Sequence, residues 1–488
     1  MRKNRIALAA AAFCGVAAAP AMALPLNSYV AGAADTLEVR ISGASAQDIA
    51  LEKALAEICV AGSLNGASFT NQSVYFCTIN PTQVTGLSTS VTKLALYKTS
   101  VGGSTNGTTP VANASTTLGF INLTTLANNA SCLTAESSIG GAVPTYSMAG
   151  VVAGTCQTAQ TGTAPDIGIA DVEPNLLGIS VGVRANLVES AGSHLTFGVP
   201  VTVTLRDQLQ ALQGKVVGSE LAADTPSLSK AQLTAIYNGT ITNWSELGLA
   251  GGPINIARRS DGSGTTRTFN AYFGVTGICS PGAINERAAN TGDATGVCSS
   301  DNGTVGLVMA GSGTDNVVAC LNNHNSGGRR AIGRLSTETS TGAGTVGSGF
   351  RFIAIDGVLP TLVNVANGNY GLWASTTYLV KATAPVTPNV STGVPIITGD
   401  KLAFSNTLYS KLGSKTVLQD VNAGIVQTFA PAGQVGYLAR PLTRAGAATL
   451  PANFGLGGTG DLSLNPTNPF QKGTPTATNN CQQGRRIL

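Results

Sequence analysis

The run Arg259-Ser260-Asp261-Gly262-Ser263-Gly264-Thr265-Thr266 holds the residue types that bind a small anion. A strand-like stretch, Ile254 to Ala257, precedes it, and a helical pattern follows through Phe273. Gly262 and Gly264 let the backbone turn tightly and approach a ligand closely. The free N–H groups of the helix start, backed by the helix dipole, favour negative charge there. Ser263 and Thr265 add hydroxyl donors, and Arg259 adds a planar fork suited to two oxygens of a tetrahedral oxyanion. A plain Gly/Ser turn carrying an exposed Arg fits the octapeptide equally well. A Walker loop is absent.

The elements that would position this turn alternate between strand and helix. Residues 37–41 alternate as a strand, 42–45 form a turn, and Ile49, Leu51, Leu55 and Ile58 suit one helix face. A buried strand over 166–170 ends in Asp171, and 196–205 alternate strongly as another. Helices are predicted over 229–238, starting from Ser229, over 314–322 and over 401–412. Further strands fall at 331–335, 351–355 and 376–382. This order predicts an α/β fold with a largely parallel sheet. Ligands then bind beyond the carboxyl ends of strands. Residues 99–164 are rich in Thr, Ser, Gly and Asn and read as loops with a short strand at 118–123. The tail from about 440 is Gly/Pro/Asn-rich and is expected to wrap the surface.

A chain of 488 residues is too long for one small core and predicts about two or three domains. Charged residues make up only 11%, which disfavours coiled coils and helical bundles with charged faces. Net charge is +4 with no basic block, and aromatic residues are 5%, so nucleic acid has no electrostatic footprint as a partner. Arg2, Lys3 and Arg5, the apolar stretch Ile6 to Ala19, and Ala21-Met22-Ala23 read as a signal peptide over 1–23, cleaved after Ala23. That places the mature chain in the periplasm or outside the cell. No later stretch has the apolar run of about 18 residues that a membrane span needs.

Of nine cysteines, Cys14 leaves with the signal, and eight remain in a compartment that permits disulfides. Sequence proximity pairs Cys59 with Cys77, Cys132 with Cys156 and Cys279 with Cys298. Elimination leaves Cys320 with Cys481. A metal site is the weaker reading: no C-x-x-C occurs, and the histidines are His194 and His324 alone. No cofactor is expected.

Upstream of the Arg259 turn stands Leu228-Ser229-Lys230-Ala231-Gln232-Leu233-Thr234-Ala235-Ile236-Tyr237-Asn238-Gly239-Thr240-Ile241-Thr242-Asn243-Trp244. Together the two stretches resemble the periplasmic phosphate-binding proteins of ABC uptake systems. Gly313-Thr314-Asp315-Asn316-Val317-Val318, Ala331-Ile332-Gly333 and Asp356-Gly357-Val358-Leu359-Pro360 extend the resemblance, which covers roughly 36–58 and 165–380. It implies a two-lobed type II periplasmic-binding-protein fold, a hinged Venus flytrap with Gly/Ser/Thr-rich loop insertions. The lobes implied are 24–190 for the first part of lobe I, 191–344 for lobe II, and 345–488 for the return to lobe I and the tail. It implies inorganic phosphate as ligand and an ABC permease at the inner membrane as partner.

By position, the resemblance makes Arg259, Ser263, Gly264 and Thr265 ligand-binding, with Asp261 holding Arg259 in place. From the first lobe it adds Asp171, Ser104 (with Ser100 as the alternative), Ser45 and Gln47. Asp171 would accept the P–OH proton of hydrogen phosphate, which sulfate lacks. Asp48 departs from the family pattern. It is placed to form a capping box with Ser45. A fixed carboxylate at that terminus competes with an anion, so either Asp48 turns outward or this lobe binds phosphate poorly. Catalysis is not expected, since no metal cluster and no base for a serine nucleophile stand out. The alternative function is a secreted or surface-attached structural or adhesive protein on the same fold, with weak or no phosphate binding.

Overall fold

The computed structural model describes residues 24–486 except 70, 134–136, 140–145, 151–159, 276–278, 280–284, 293–297, 299–305, 340–347, 387–392, 426–435, 440–465 and 474–477. The expected signal segment, with Cys14, and Cys156 lie outside the described residues.

Strand β1 (Thr36–Gly43) leads through a 3-10 turn (Ser45–Gln47) into helix α1 (Asp48–Ile58). Strands β2 (Asn65–Phe69), β3 (Gln72–Thr78) and β4 (Lys93–Thr99) follow, then a second 3-10 segment (Gly103–Gly107) and β5 (Ile167–Ala170). The long strand β6 (Leu187–Thr202) runs into α2 (Val203–Leu212) and α3 (Lys230–Asn238). Next come β7 (Asn255–Arg259), α4 (Gly264–Phe273), β8 (Val308–Gly311), α5 (Thr314–Ser326), β9 (Ala331–Gly333) and β10 (Phe350–Ile355). Strand β11 (Trp373–Lys381), helices α6 (Gly399–Leu412) and α7 (Lys415–Ala423), and β12 (Tyr437–Leu438) complete the frame.

The strands order β8-β7-β9-β6-β11-β5-β1-β4-β3-β2. The sheet holds two parallel groups, β1 with β4 and β5, and β7 with β8 and β9, and β3 and β2 extend the first group antiparallel beyond β4. Between them β6 and β11 pair antiparallel, and β11 is antiparallel to β5. The sheet is therefore mixed, not largely parallel. The expectation missed this because β6 and β11 are buried along nearly their whole length. Strands buried on both faces, polar side chains included, give no alternation that tells parallel from antiparallel company.

One continuous core runs through both halves, with a smaller cluster on the other side of the first. In α1, Leu51, Leu55 and Ile58 are fully buried, and the helix packs on the first group with α6 and α7 beside it. In the second half, α3 starts from a capping box in which Ser229 and Gln232 satisfy each other's backbone N–H groups. The stretch 196–205 stops being a strand at Thr202, whose hydroxyl accepts the Leu205 N–H at 3.3 Å and opens α2. Strand β10 pairs with Val199–Thr202 and with Ser227–Leu228, so it sits with the second group and not with the returning chain. Trp244 is fully buried, and Trp373 is stacked on His194 at 4.7 Å, which makes both packing residues.

The described part of the tail does not merely wrap the surface: Asn468, Gln471 and Asn480 are buried. Disulfides join Cys59 to Cys77, Cys279 to Cys481 and Cys298 to Cys320. The expected Cys279–Cys298 and Cys320–Cys481 pairs are thus exchanged. Cys320 faces inward from α5 towards Cys298, while the docked tail brings Cys481 to Cys279, 202 residues earlier in the chain. Sequence proximity cannot see such a fold-back. Cys132 is disulfide-bonded, and its expected partner Cys156 is outside the described residues. No described helix is long and apolar enough to cross a membrane.

Candidate functional site

Strand β7 ends in two arginines that diverge. Arg258 turns to Asp261 at 3.2 Å and Glu286 at 3.5 Å. Arg259, buried, turns towards the first half. One of its Nη atoms donates to Thr314 Oγ1 at 2.9 Å and Ser45 Oγ at 3.3 Å, the other to the Ser312 carbonyl at 2.8 Å. Asp261 therefore pairs with Arg258, not with Arg259 as expected. Alternation along the strand sends neighbouring arginines to opposite faces, and Asp261, 68% exposed, reaches only the outer one.

Helix α4 begins at Gly264, with Ser263 as N-cap residue but without a side-chain capping bond. Its first N–H groups therefore face the interior uncapped by their own turn. The Gly264 N–H donates to Ser104 Oγ at 3.2 Å. The same oxygen accepts the Asp171 N–H at 3.0 Å. A Cβ on Gly264 would meet both Asp171 Cβ and Ser104 Oγ at 2.6 Å, so only glycine permits this approach. Thr105 closes the seam alongside, its N–H at 3.0 Å and its hydroxyl at 2.9 Å from the Gly262 carbonyl. Ser263 and Thr265 are buried in the same region. Gly43 and Gly107, where β1 meets the 3-10 segment, stand against the Ile169 carbonyl with no room for a side chain.

Asp171 follows β5 and is buried, with Oδ1 lacking a hydrogen-bond partner among the described residues. Burial pushes its carboxyl up to about 6, opposed by the charges of Arg259 and Lys98. Gln47, also buried, leaves Nε2 without a partner among the described residues. Ser45 Oγ lies 3.0 Å from Thr314 Oγ1. The structure thus gathers Arg259, Ser263, Gly264, Thr265, Asp171, Ser104, Ser45 and Gln47 along one seam between the halves, and leaves Asp261 off it. Ser104, and not Ser100, faces α4.

Asp48 forms no capping box with Ser45, because it is itself the first residue of α1 and Ser45 belongs to the preceding 3-10 turn. Its carboxylate is turned to the buried Lys98 ammonium at 2.8 Å and to Ser100 Oγ at 2.7 Å. A cation on the strand behind α1 thereby neutralises the charge that would otherwise repel an anion.

Five nearby residues escaped the sequence reading: Thr314, Ser312, Lys98, Glu338 and Tyr437. Lys98, within the alternating strand β4, was the readable signal, since a Lys amid apolar positions needs a buried partner. Glu338 had none. It is fully buried with Ser336 Oγ donating to it at 2.7 Å, and burial and the Asp171 charge push its carboxyl up to about 8. Burial, with Glu338 and Asp171 nearby, also raises the Tyr437 hydroxyl well above the ordinary range.

Cys298, Cys320 and His324 present atoms within 4.8 Å of one another, but the first two are joined as a disulfide and offer no thiolate to a metal.

Residues 208–389 match the model of the PBP superfamily domain. Arg259, Ser263, Gly264, Thr265, Thr314 and Glu338 lie inside that domain, whereas Ser45, Gln47, Ser104 and Asp171 lie before it. The chain is 28% identical over 170 residues to the phosphate-binding protein PstS of Bacillus subtilis (strain 168), which is 35% of this chain and 45% of that relative. It therefore spans less than half the length of the relative. Among solved structures, it resembles a candidate phosphate ABC transporter substrate-binding protein of Clostridium perfringens with bound phosphate. That likeness has 15% identity, covers 80% of this chain and 99% of the other, and has a TM-score of 0.42. An ABC-type phosphate transport receptor of Vibrio cholerae gives 16% identity, 80% and 100% coverage, and a TM-score of 0.39.

Proposed function

We propose that this chain is an extracytoplasmic solute-binding protein that holds inorganic phosphate between two lobes and delivers it to an ABC permease. The observation that carries the reading is the meeting of the α4 start with Asp171 through Ser104, beside the buried Arg259 fork. Backbone N–H groups and the guanidinium supply donors to a tetrahedral anion. The partnerless Asp171 Oδ1 accepts from a P–OH. Sulfate, having no proton at neutral pH, would set two acceptors face to face. The chain has no catalytic role in this reading, and residues 1–23 act as the export signal.

In this reading the first lobe takes residues 24–190 and the second begins at 191. Support for a change of lobe within β6 comes from its pairing with β11 up to Thr196 and with β10 from Val199. The pairing of β10 with the second group favours a return to the first lobe on β11 over a return at 345.

Calorimetric titration of the mature chain with phosphate and with sulfate tests the function. Saturable micromolar binding of phosphate alone, lost in Arg259→Ala, is expected. No heat with phosphate, together with self-assembly or surface retention, would favour the structural or adhesive alternative.

A further inference from the structure

A cavity of about 330 Å³ lies at the other end of α4, away from Gly264. Tyr272, eight residues along the helix from Gly264, lines it, which puts it about 12 Å from the helix start. Its walls come from α3, α4, the entry to β11 and the docked tail. Four aromatic residues contribute: Tyr272, Tyr370, Trp373 and Phe470. Glycines make room for three of these rings: Gly368 for Phe470, Gly371 for Tyr272 and Gly484 for Trp373.

Two ammonium groups face the same space. Lys230 Nζ lies 4.1 Å from the centre of the Tyr272 ring, and Lys472 Nζ lies 4.5 Å from that of Trp373. Lys472 is held by the Trp373 and Gly371 carbonyls. Burial, with the Lys230 charge adding to it, pushes this amine down to about 7. Among the described lining residues none is acidic. Two carboxylates act on the lysines from outside the lining: Glu173, which accepts from Asn480 at 2.8 and 2.6 Å, on Lys472, and Asp356 on Lys230. A space of this volume stands at the lower end of small-molecule pockets, roughly 300–1,000 Å³. Ringed by aromatic faces and carrying two ammonium groups, it suits a flat ring with one anionic substituent.

We propose that this cavity is a second ligand site, for a small ring-bearing anion, distinct from the anion seam at Gly264. The two lysines hold the anionic group, and the rings of Tyr272, Trp373 and Phe470 cover the planar part. Either a carboxylate or a phosphate monoester supplies that chemistry.

The test is calorimetry on the mature chain with benzoate and, separately, phenyl phosphate, each in excess inorganic phosphate so that the seam is filled. One-to-one saturable binding of at least one probe with Kd below about 1 mM is expected. Lys472→Met and Lys230→Gln should each weaken it roughly tenfold while leaving inorganic phosphate binding unchanged. Lys230, exposed at the cavity edge, keeps the test decisive if the Lys472 variant fails to fold. Benzoate binding alone identifies a carboxylate site, and phenyl phosphate alone a monoester site. No saturable heat with either probe, or binding indifferent to both lysine changes, overturns the proposal. Since the probes need not compete with inorganic phosphate, this outcome is independent of whether the seam binds phosphate.

Discussion

The Gly264 N–H donates to Ser104 Oγ at 3.2 Å, although 160 residues separate the two. This one bond joins the start of α4 to the turn after β4. It brings the dipole of one half against the buried carboxylate of the other. Gly264→Ala tests it directly, because the added methyl meets Asp171 and Ser104 at 2.6 Å. Overpacking of this kind costs about 1–3 kcal/mol. Phosphate affinity should fall roughly ten- to a hundredfold, and the melting temperature of the chain should fall with it. A variant that binds as tightly as wild type would show that closure does not need this contact.

Arg259 reaches three partners with two nitrogens, Ser45, Thr314 and the Ser312 carbonyl. A lysine keeps the charge but not the fork. Arg259→Lys should therefore lose most of the phosphate affinity, by about 2 kcal/mol or more, as read by calorimetry. Retention of affinity would mean that charge alone suffices.

Asp171 makes a pH signature. Its folded pKa, about 6, lies above its ordinary value of 3.8, so the folded state binds this proton more tightly than the unfolded chain. Its contribution to stability is then greatest below about 4, falls as pH rises through about 6, and is constant above. Asp171→Asn should stabilise the ligand-free chain at pH 8 by about 2–3 kcal/mol, and the gain should vanish near pH 4. Glu338 titrates with the same sign over a higher window, to about 8, and because the Asp171 charge is part of what raises it, Asp171→Asn also relieves Glu338 and adds to the gain at pH 8. Urea unfolding at both pH values measures it. An equal gain at pH 4 and pH 8 would contradict the assignment.

Lys98 is buried and its partner Asp48 is 30% exposed on the side chain. Lys98→Met leaves that carboxylate beside the seam without its cation. Loss of a buried partner costs about 3–5 kcal/mol, and the exposure of Asp48 reduces this to about 2–3 kcal/mol. Adding Asp48→Asn should recover part of the loss, as a double-mutant cycle by urea unfolding would record. Strictly additive effects would mean the pair does not interact.

Peptide mapping without reduction should recover Cys279 linked to Cys481 and Cys298 linked to Cys320. Finding Cys279 linked to Cys298 instead would place the tail elsewhere.

Part of the seam was readable from residues at the ends of elements, and part came only with the family resemblance, which supplied the roles of Asp171, Ser104, Ser45 and Gln47. Arg259 closes a strand, Gly264 opens a helix, and Asp171 ends a short apolar run. The capping residue Ser229 and the face of α1 were equally local. What escaped depends on contacts far apart in sequence. Asp261 was assigned to the wrong arginine because strand alternation, not proximity, sorts Arg258 from Arg259. The antiparallel crossing of β6 and β11 was hidden by burial on both faces. Glu338 stands in a Ser/Thr-rich stretch, and only the packing of Asp171 and Tyr437 nearby gives it significance.

Cys481 stands next to Asn480, whose amide is held by Glu173, two residues beyond Asp171. Through Cys279, just past the C-terminus of α4, the same tail is covalently moored to the far end of the helix whose near end meets Asp171. The helix is thus moored at both ends to segments far away in sequence: its head by the Ser104 hydroxyl across the seam, and the chain beyond its tail by a covalent link to the last residues of the fold.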